Sequence, residues 1–127
     1  MADGLTLYFS SNRDGSVDLF RATRSSLAAP FTLDTAGVLD GVNTPHGTED
    51  QPVVTIDELA LYFVCNDALC MATRPSRSDP FGSVTIAASY AAYPEWVSDD
   101  GCRLYLDMSV GDSYDLFVAS KPSKPGR

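Results

Sequence analysis

Histidine is almost absent from this sequence, and its scarcity limits the chemistry that the chain can perform. His46 is the single histidine among 127 residues. The three cysteines, Cys65, Cys70 and Cys102, are an odd set at spacings that match no zinc motif. The sequence therefore argues against a Cys/His metal cluster.

The lack of histidine also leaves serine without a catalytic base. Ser10, Ser11 and Ser98 have no histidine nearby in the sequence. A serine hydroxyl is a weak nucleophile unless an adjacent base takes its proton. We therefore expect no enzymatic activity in this chain, and no cofactor.

Positive charge and long apolar runs are scarce as well. Nine Lys and Arg residues face seventeen Asp and Glu residues, so the net charge is −8, and nucleic acids or anionic membranes would be repelled. No stretch approaches the roughly 18 apolar residues of a membrane span, and residues 1–4 carry neither a basic nor an apolar signal region. The sequence predicts a soluble chain, as written without an export signal, that neither binds nucleic acid nor inserts into membranes.

No stretch has the 3.6-residue period of a helix, and proline or glycine interrupts at short intervals. Instead, one short phrase occurs three times, as Leu-Tyr-Phe at residues 7–9 and 61–63 and as Leu-Tyr-Leu at residues 104–106. Each copy is followed by a second apolar run, at residues 18–20, 68–70 and 115–117. Repetition of this kind indicates a repeat architecture.

Each phrase and its following run have the pattern of a β-hairpin. Residues 5–11 and 17–23 flank a turn in which Gly15 can take positive φ, and residues 104–108 and 114–120 flank a turn at 110–112. The middle hairpin is shorter and is expected to close tightly through Asn66 and Asp67. The continuous apolar triplets predict strands that are buried on both faces.

Further strands flank the hairpins. Residues 52–58 and 94–101 predict a strand before the second and third hairpins, and residues 32–34 and 83–87 predict a weaker strand after the first and second. The unit is then four antiparallel strands of about 43 to 50 residues, the size of one β-propeller blade. We predict a single propeller-like unit with a partial blade (3–48), a full blade (49–92), a partial blade (93–121) and a tail (122–127).

The run at residues 3–15, with Asp-Leu-Phe at 18–20 and Ala-Thr-Arg at 22–24, resembles the WD-like β-propeller repeat of TolB-type proteins. The resemblance covers nearly the whole chain, although Glu58 stands where that repeat usually has glycine. It implies propellers, often six-bladed, that act as protein-interaction scaffolds, and it does not imply catalysis by the repeat itself. Such repeats occur in bacterial periplasmic or envelope proteins and attached to peptidase domains.

About 2.5 to 3 blades cannot close a ring, because propellers need roughly four to eight. Either the chain is a fragment of a longer propeller, or copies of it assemble, and two copies would give six blades. We therefore expect a non-enzymatic scaffold that completes its ring as a homodimer or another oligomer and binds a protein partner. The alternatives are a propeller that binds a small ligand, a glycan or a metal ion, and a propeller fragment of a larger envelope protein or peptidase.

Six polar residues are weak candidates for a metal site. His46 lies near Glu49 and Asp50 in the loop at residues 36–49, where turn formation is the favoured explanation. The others end the predicted innermost strands, where they could line a channel mouth or simply bond their own backbone: Asp57, Asp99 and Asp100.

Aromatic and acidic residues near the predicted channel are the interaction candidates: Trp96, Tyr93, Asp57 and Asp99. Trp96, placed by proline alignment where the second copy has Val54, is expected to fill the wedge between blades.

Two repeated or paired features are expected to be structural. Arg24 and Arg74 recur after Ala-Thr, and their repetition favours an ion pair over an anion site. Cys65 and Cys70 fall diagonally on one face of the short hairpin, where buried packing is favoured and a disulfide is the alternative.

Overall fold

The computed structural model describes residues 3–121, and this part of the chain contains strands and no helix. Ten strands follow one another: β1 (Thr6–Ser11), β2 (Asp18–Thr23), β3 (Thr32–Leu33), β4 (Glu49–Val54), β5 (Ala60–Cys65), β6 (Ala68–Thr73), β7 (Thr85–Ala88), β8 (Tyr93–Val97), β9 (Arg103–Val110) and β10 (Ser113–Ser120). The expectation of an all-β chain is confirmed for these residues. The predicted tail, residues 122–127, lies outside them.

The strands form three small antiparallel sheets, and none of the sheets closes on itself. The first sheet has the order β1-β2-β3, the second β4-β5-β6-β7 and the third β8-β9-β10. Strands that follow one another in sequence therefore lie side by side. The predicted four-stranded unit occurs once, in the second sheet, and each flanking sheet has three strands.

The three repeated phrases form the three predicted hairpins, each closed by residues at positive φ. Ser11 pairs with Asp18, and the loop between them contains Gly15 at a φ of 110°. In the middle hairpin Asn66 and Asp67 alone connect the strands, at φ values of 48° and 64°, as a tight two-residue turn requires. The third hairpin has longer strands and an equally short turn that begins at Gly111.

The hydrophobic core lies between the sheets in two layers. The layer between the first and second sheets includes Leu19, Leu61 and Phe63, each no more than 1% exposed. The layer between the second and third sheets includes Tyr62 and Leu104. Because side chains alternate along a strand, β5 contributes to both layers.

The loop at residues 36–49 is less polar in structure than its sequence suggested. Val38, Leu39 and Val42 are buried in the first core layer, and the Phe81 backbone N–H donates to the Val38 carbonyl at 2.9 Å. Asn43 completes the open edge of β2, since its side-chain amide both accepts from the Leu19 N–H and donates to the Leu19 carbonyl, each at 2.9 Å.

Burial on both faces is confirmed for the middle phrase and is wrong for the first. Leu61, Tyr62 and Phe63 are all buried, because the second sheet is covered on both sides. Leu7 is 42% exposed, since no sheet covers the outer face of the first sheet within the described residues.

The favoured interpretation of Cys65 and Cys70 as unlinked packing residues is wrong. The two residues lie diagonally across β5 and β6, as expected, but they are joined as a disulfide with Cα atoms 5.8 Å apart. That separation is within the usual disulfide range, because strand twist brings one diagonal pair of a hairpin together. Cys102 is a free, exposed thiol.

Candidate functional site

The histidine loop does not assemble a polar site. His46 is exposed, whereas Glu49 is buried and accepts hydrogen bonds from the backbone and hydroxyl of Thr44 at 3.3 and 2.8 Å. Asp50 instead accepts from the Ser10 hydroxyl on the neighbouring sheet. Each of the two carboxylates therefore has its own structural partner.

Two of the acidic candidates organise turns. Asp57 accepts hydrogen bonds from the Thr55 hydroxyl at 2.6 Å and from the backbone N–H two residues on at 3.0 Å. Asp100 does the same with the Ser98 hydroxyl at 2.5 Å and its own second neighbour at 2.9 Å. The hydroxyl donors first, and the backbone donors second, hold the pKa of both carboxyl groups below the usual value. The interpretation of these two residues as turn formers is confirmed.

Asp99 lies apart from these turns. It is exposed and lines an open groove of about 330 Å³ together with Leu7, Val54, Ile56 and Trp96. Across residues 3–121, no group of three His, Cys, Asp or Glu side chains comes together in a way that would hold a metal ion.

Each sheet has two distinct sides, named here by the repeated phrase. The side that carries the first and third residues of the phrase is the leucine side, and the side that carries the middle tyrosine is the tyrosine side. In the first core layer Tyr8 meets Leu61 and Phe63, and in the second Tyr62 meets Leu104 and Leu106. Both internal interfaces therefore join the tyrosine side of one sheet to the leucine side of the next.

The tyrosine side of the third sheet has no sheet against it in the described part of the chain. Trp96 and Tyr105 are cross-strand neighbours with ring centroids 5.1 Å apart, and Tyr93 and Tyr114 are 6.3 Å apart. Trp96 is 51% exposed and Tyr114 63% exposed. β10 adds Leu116, which is 68% exposed, and Val118, which pairs with Tyr105. Arg103 and Asp107 lie on the same side of β9 as Tyr105, so the surface also carries charge.

The leucine side of the first sheet is uncovered in the same way. Leu7 pairs with Ala22, and Phe9 pairs with Phe20, whose rings stack with centroids 5.7 Å apart. The guanidinium of Arg13 lies over both rings, 5.1 and 4.8 Å from their centroids. Residues 3–121 thus leave two largely apolar faces uncovered, one tyrosine side and one leucine side. Exposed contiguous apolar faces of this sort mark interaction surfaces.

A buried polar contact crosses the interface between the first two sheets. The Tyr8 hydroxyl donates to Glu58 Oε2 at 3.2 Å and accepts from Arg74 Nη2 at 3.1 Å. Arg74 and Glu58 also form a buried ion pair at 3.3 Å. Burial raises the pKa of the Tyr8 hydroxyl, which therefore stays protonated in its role as donor.

Arg24 holds the same backbone position as Arg74 in its own sheet. The Nε of Arg24 donates to the Gly4 carbonyl and that of Arg74 to the Glu58 carbonyl, both at 2.7 Å. Each guanidinium also stacks on an aromatic ring, Phe31 or Phe81, at 4.5 and 4.4 Å. The predicted ion pair is therefore present at Arg74, whereas Arg24 binds backbone carbonyls.

Comparison with known proteins shows no family for this chain. No protein-family model matches the chain, and no curated protein matches it. Among the described residues there is no helix of the length and apolar character needed to cross a membrane.

The position of Trp96 in the repeat differs by one residue between the structure and the sequence alignment. Val53 pairs with Tyr62, and Trp96 pairs with Tyr105 43 residues later in each strand. The prolines used for the alignment are not equivalent, because Pro94 pairs with Leu106 whereas Pro52 lies in the β-bulge of β4. Trp96 is therefore equivalent to Val53 and not to Val54, which places it on the uncovered tyrosine side together with Tyr93. Sequence reasoning missed Leu116 and Val118 on this surface, although their alternation along β10 was the available signal.

Proposed function

We propose that this chain is a non-enzymatic β-propeller scaffold for protein interaction that completes its ring with a second copy of itself. Three sheets from each copy would give six blades. The uncovered tyrosine side of the third sheet would pack against the uncovered leucine side of the first sheet of the partner copy, and the same contact would form again at the second junction.

One observation carries this proposal: both internal interfaces join a tyrosine side to a leucine side, and the two uncovered faces are one of each kind. A head-to-tail contact between copies would repeat an interface that the chain already makes twice. Heterologous contacts form rings when the rotation closes. Three stacked sheets leave the remainder of a six-bladed circle to a second chain of the same size.

The mass of the particle in solution tests this assembly. Light scattering at micromolar concentration should give twice the chain mass of 13.6 kDa. Leu116→Arg on the tyrosine side and Leu7→Arg on the leucine side should each give a monomer, because a charge would be buried at the junction. Ile86→Arg is the matched control, since Ile86 is 67% exposed on β7, outside both faces.

A monomeric wild-type chain would overturn the assembly. It would favour the alternative in which further sheets of a longer chain cover the two faces. Association that survives both Leu116→Arg and Leu7→Arg would place the contact elsewhere on the surface.

A small-ligand site is a second candidate, favoured by the groove beside Trp96. An exposed tryptophan and the Asp99 carboxylate both line it, and stacking plus hydrogen bonding is how proteins commonly hold polar ring-shaped ligands. Calorimetry with simple sugars should then show binding that Trp96→Ala removes. No heat signal at millimolar ligand would eliminate this candidate.

A further inference from the structure

We propose that two polar pairs set the register of the junction between copies: Tyr105 with Arg24, and Asp107 with Arg13 of the second copy. This inference rests on the proposed self-association and specifies which residues make it head-to-tail. It is drawn by transferring the contacts of the first internal interface onto the two uncovered faces.

The first pair follows from the contact between Tyr8 and Arg74. Tyr105 is the middle residue of the third phrase, as Tyr8 is of the first, and it lies on the uncovered tyrosine side. Arg24 makes the same kinds of contact as Arg74, a hydrogen bond from Nε to a backbone carbonyl and stacking on an aromatic ring. The carbonyl belongs to Gly4 for Arg24 and to Glu58 for Arg74, so Arg24 has no carboxylate at that position. Packing the two uncovered faces as the first two sheets pack would bring the Tyr105 hydroxyl to Arg24 Nη2.

The second pair follows from the residues around Phe63. In the first core layer, the cross-strand pair Ser10 and Leu19 belongs to the surface that meets the pair Phe63 and Cys70. In the third sheet, the equivalent of the Ser10 and Leu19 pair is Asp107 with Leu116. In the first sheet of the second copy, the equivalent of the Phe63 and Cys70 pair is Phe9 with Phe20. At the new junction, the first of these pairs would face the second.

These transferred positions bring opposite charges together. Arg13 lies over the Phe9 and Phe20 rings, so its guanidinium is on the surface that would face Asp107. Asp107 is a half-buried carboxylate opposite Leu116 on the side that also carries Arg103, and no ion pair within the described residues involves it. Charge complementarity of this kind selects orientation and register in protein interfaces.

Charge reversal in mixed copies tests the register. Asp107→Arg and Arg13→Asp should each weaken self-association at least about tenfold, because both junctions of the ring would then oppose like charges. Mixing the two variants should restore the dimer, since one junction of the mixed ring pairs Arg with Asp and the other has the wild-type pair. Circular dichroism and the melting temperature of each single variant establish that the monomers remain folded.

The tyrosine contact has its own matched control. Tyr105→Phe should weaken the dimer severalfold through loss of one hydrogen bond at each of the two junctions, whereas Tyr62→Phe should leave it unchanged because Tyr62 lies within one chain. A wild-type monomer would overturn the proposed function itself. If the wild-type chain is a dimer but the mixed charge-reversed variants do not dimerise, self-association stands and this register is overturned.

Discussion

The Tyr8 hydroxyl in the first sheet donates a hydrogen bond to the Glu58 carboxylate in the second sheet at 3.2 Å. Glu58 holds this position at a φ of 61°, where Gly4 and Gly101, its equivalents in the other two repeats, have φ values of 68° and 66°. A non-glycine residue in this region costs roughly 1–2 kcal/mol. The side chain therefore compensates for backbone strain by pairing with buried Arg74 and receiving the tyrosine.

Replacing Glu58 by glycine should destabilise the chain by about 2–4 kcal/mol. Relief of strain would contribute roughly 1 kcal/mol, but a buried Arg74 left without its partner costs about 3–5 kcal/mol. Urea unfolding at one fixed protein concentration measures the difference. Glu58→Gln is the companion variant, which keeps the backbone strain and an acceptor but removes the charge. A glycine variant more stable than wild type would show that strain outweighs the ion pair.

The turn of the middle hairpin offers a stabilising substitution. Asp67 is exposed at a φ of 64°, and the second position of such a turn favours glycine. Asp67→Gly should raise the free energy of unfolding by about 0.5 kcal/mol, after the greater entropy of glycine in the unfolded chain is subtracted.

Asp112 is the matched control for that substitution. It occupies the equivalent place in the third hairpin but lies outside the positive-φ region. Asp112→Gly should therefore lower stability slightly, because no strain is relieved. Equal effects of the two substitutions in thermal unfolding would contradict the conformational explanation.

The cysteine pairing predicts a defined alkylation pattern. In denaturant without reductant, iodoacetamide should modify Cys102 alone, because Cys65 and Cys70 are linked. After reduction, all three should be modified. The loop closed by the link is short, so its loss should cost no more than about 2 kcal/mol. Three modified cysteines before reduction would show that the link is absent in solution.

Stability should fall at acid pH partly through Asp57 and Asp100. Because their pKa values are lowered in the folded chain, the stability that they contribute is present above the unfolded-state value of about 3.9 and is lost as the pH falls through the folded-state values. With Asp57→Asn or Asp100→Asn, the melting temperature should fall less steeply as the pH drops below about 4. Asp14→Asn, in the exposed first hairpin loop, is the control. An unchanged pH profile in both turn variants would contradict their role.

Local sequence patterns predicted the hairpins but not the position of every side chain. Turns were predicted at Gly15, Asn66 and Asp67 because these residue types accept positive φ more readily than others. The flanking apolar runs were then predicted as the strands of each hairpin. Trp96 was placed one residue out of register, since the two prolines used to align the copies are not equivalent: Pro94 pairs with Leu106, whereas Pro52 lies within a bulge. A shift of one residue moves a side chain to the opposite face of a sheet.

Other misplaced features depended on contacts between distant residues. Val38, Leu39 and Val42 lie in a loop with many turn-forming residues, and only the second sheet beside them makes that loop part of the core. The disulfide likewise depended on the twist that brings a diagonal pair together, which residue spacing does not report.

The sequence by itself determined the strands, their hairpin order and the threefold repetition of one phrase, because alternation and turn chemistry act over a few residues. Tertiary structure alone decided which sides are covered. The same Leu-Tyr phrase is wholly buried at residues 61–63, yet it leaves Leu7 exposed in the first sheet and Tyr105 on an open face in the third. Burial is a property of the neighbouring surface, and the described residues supply no sheet against those two faces.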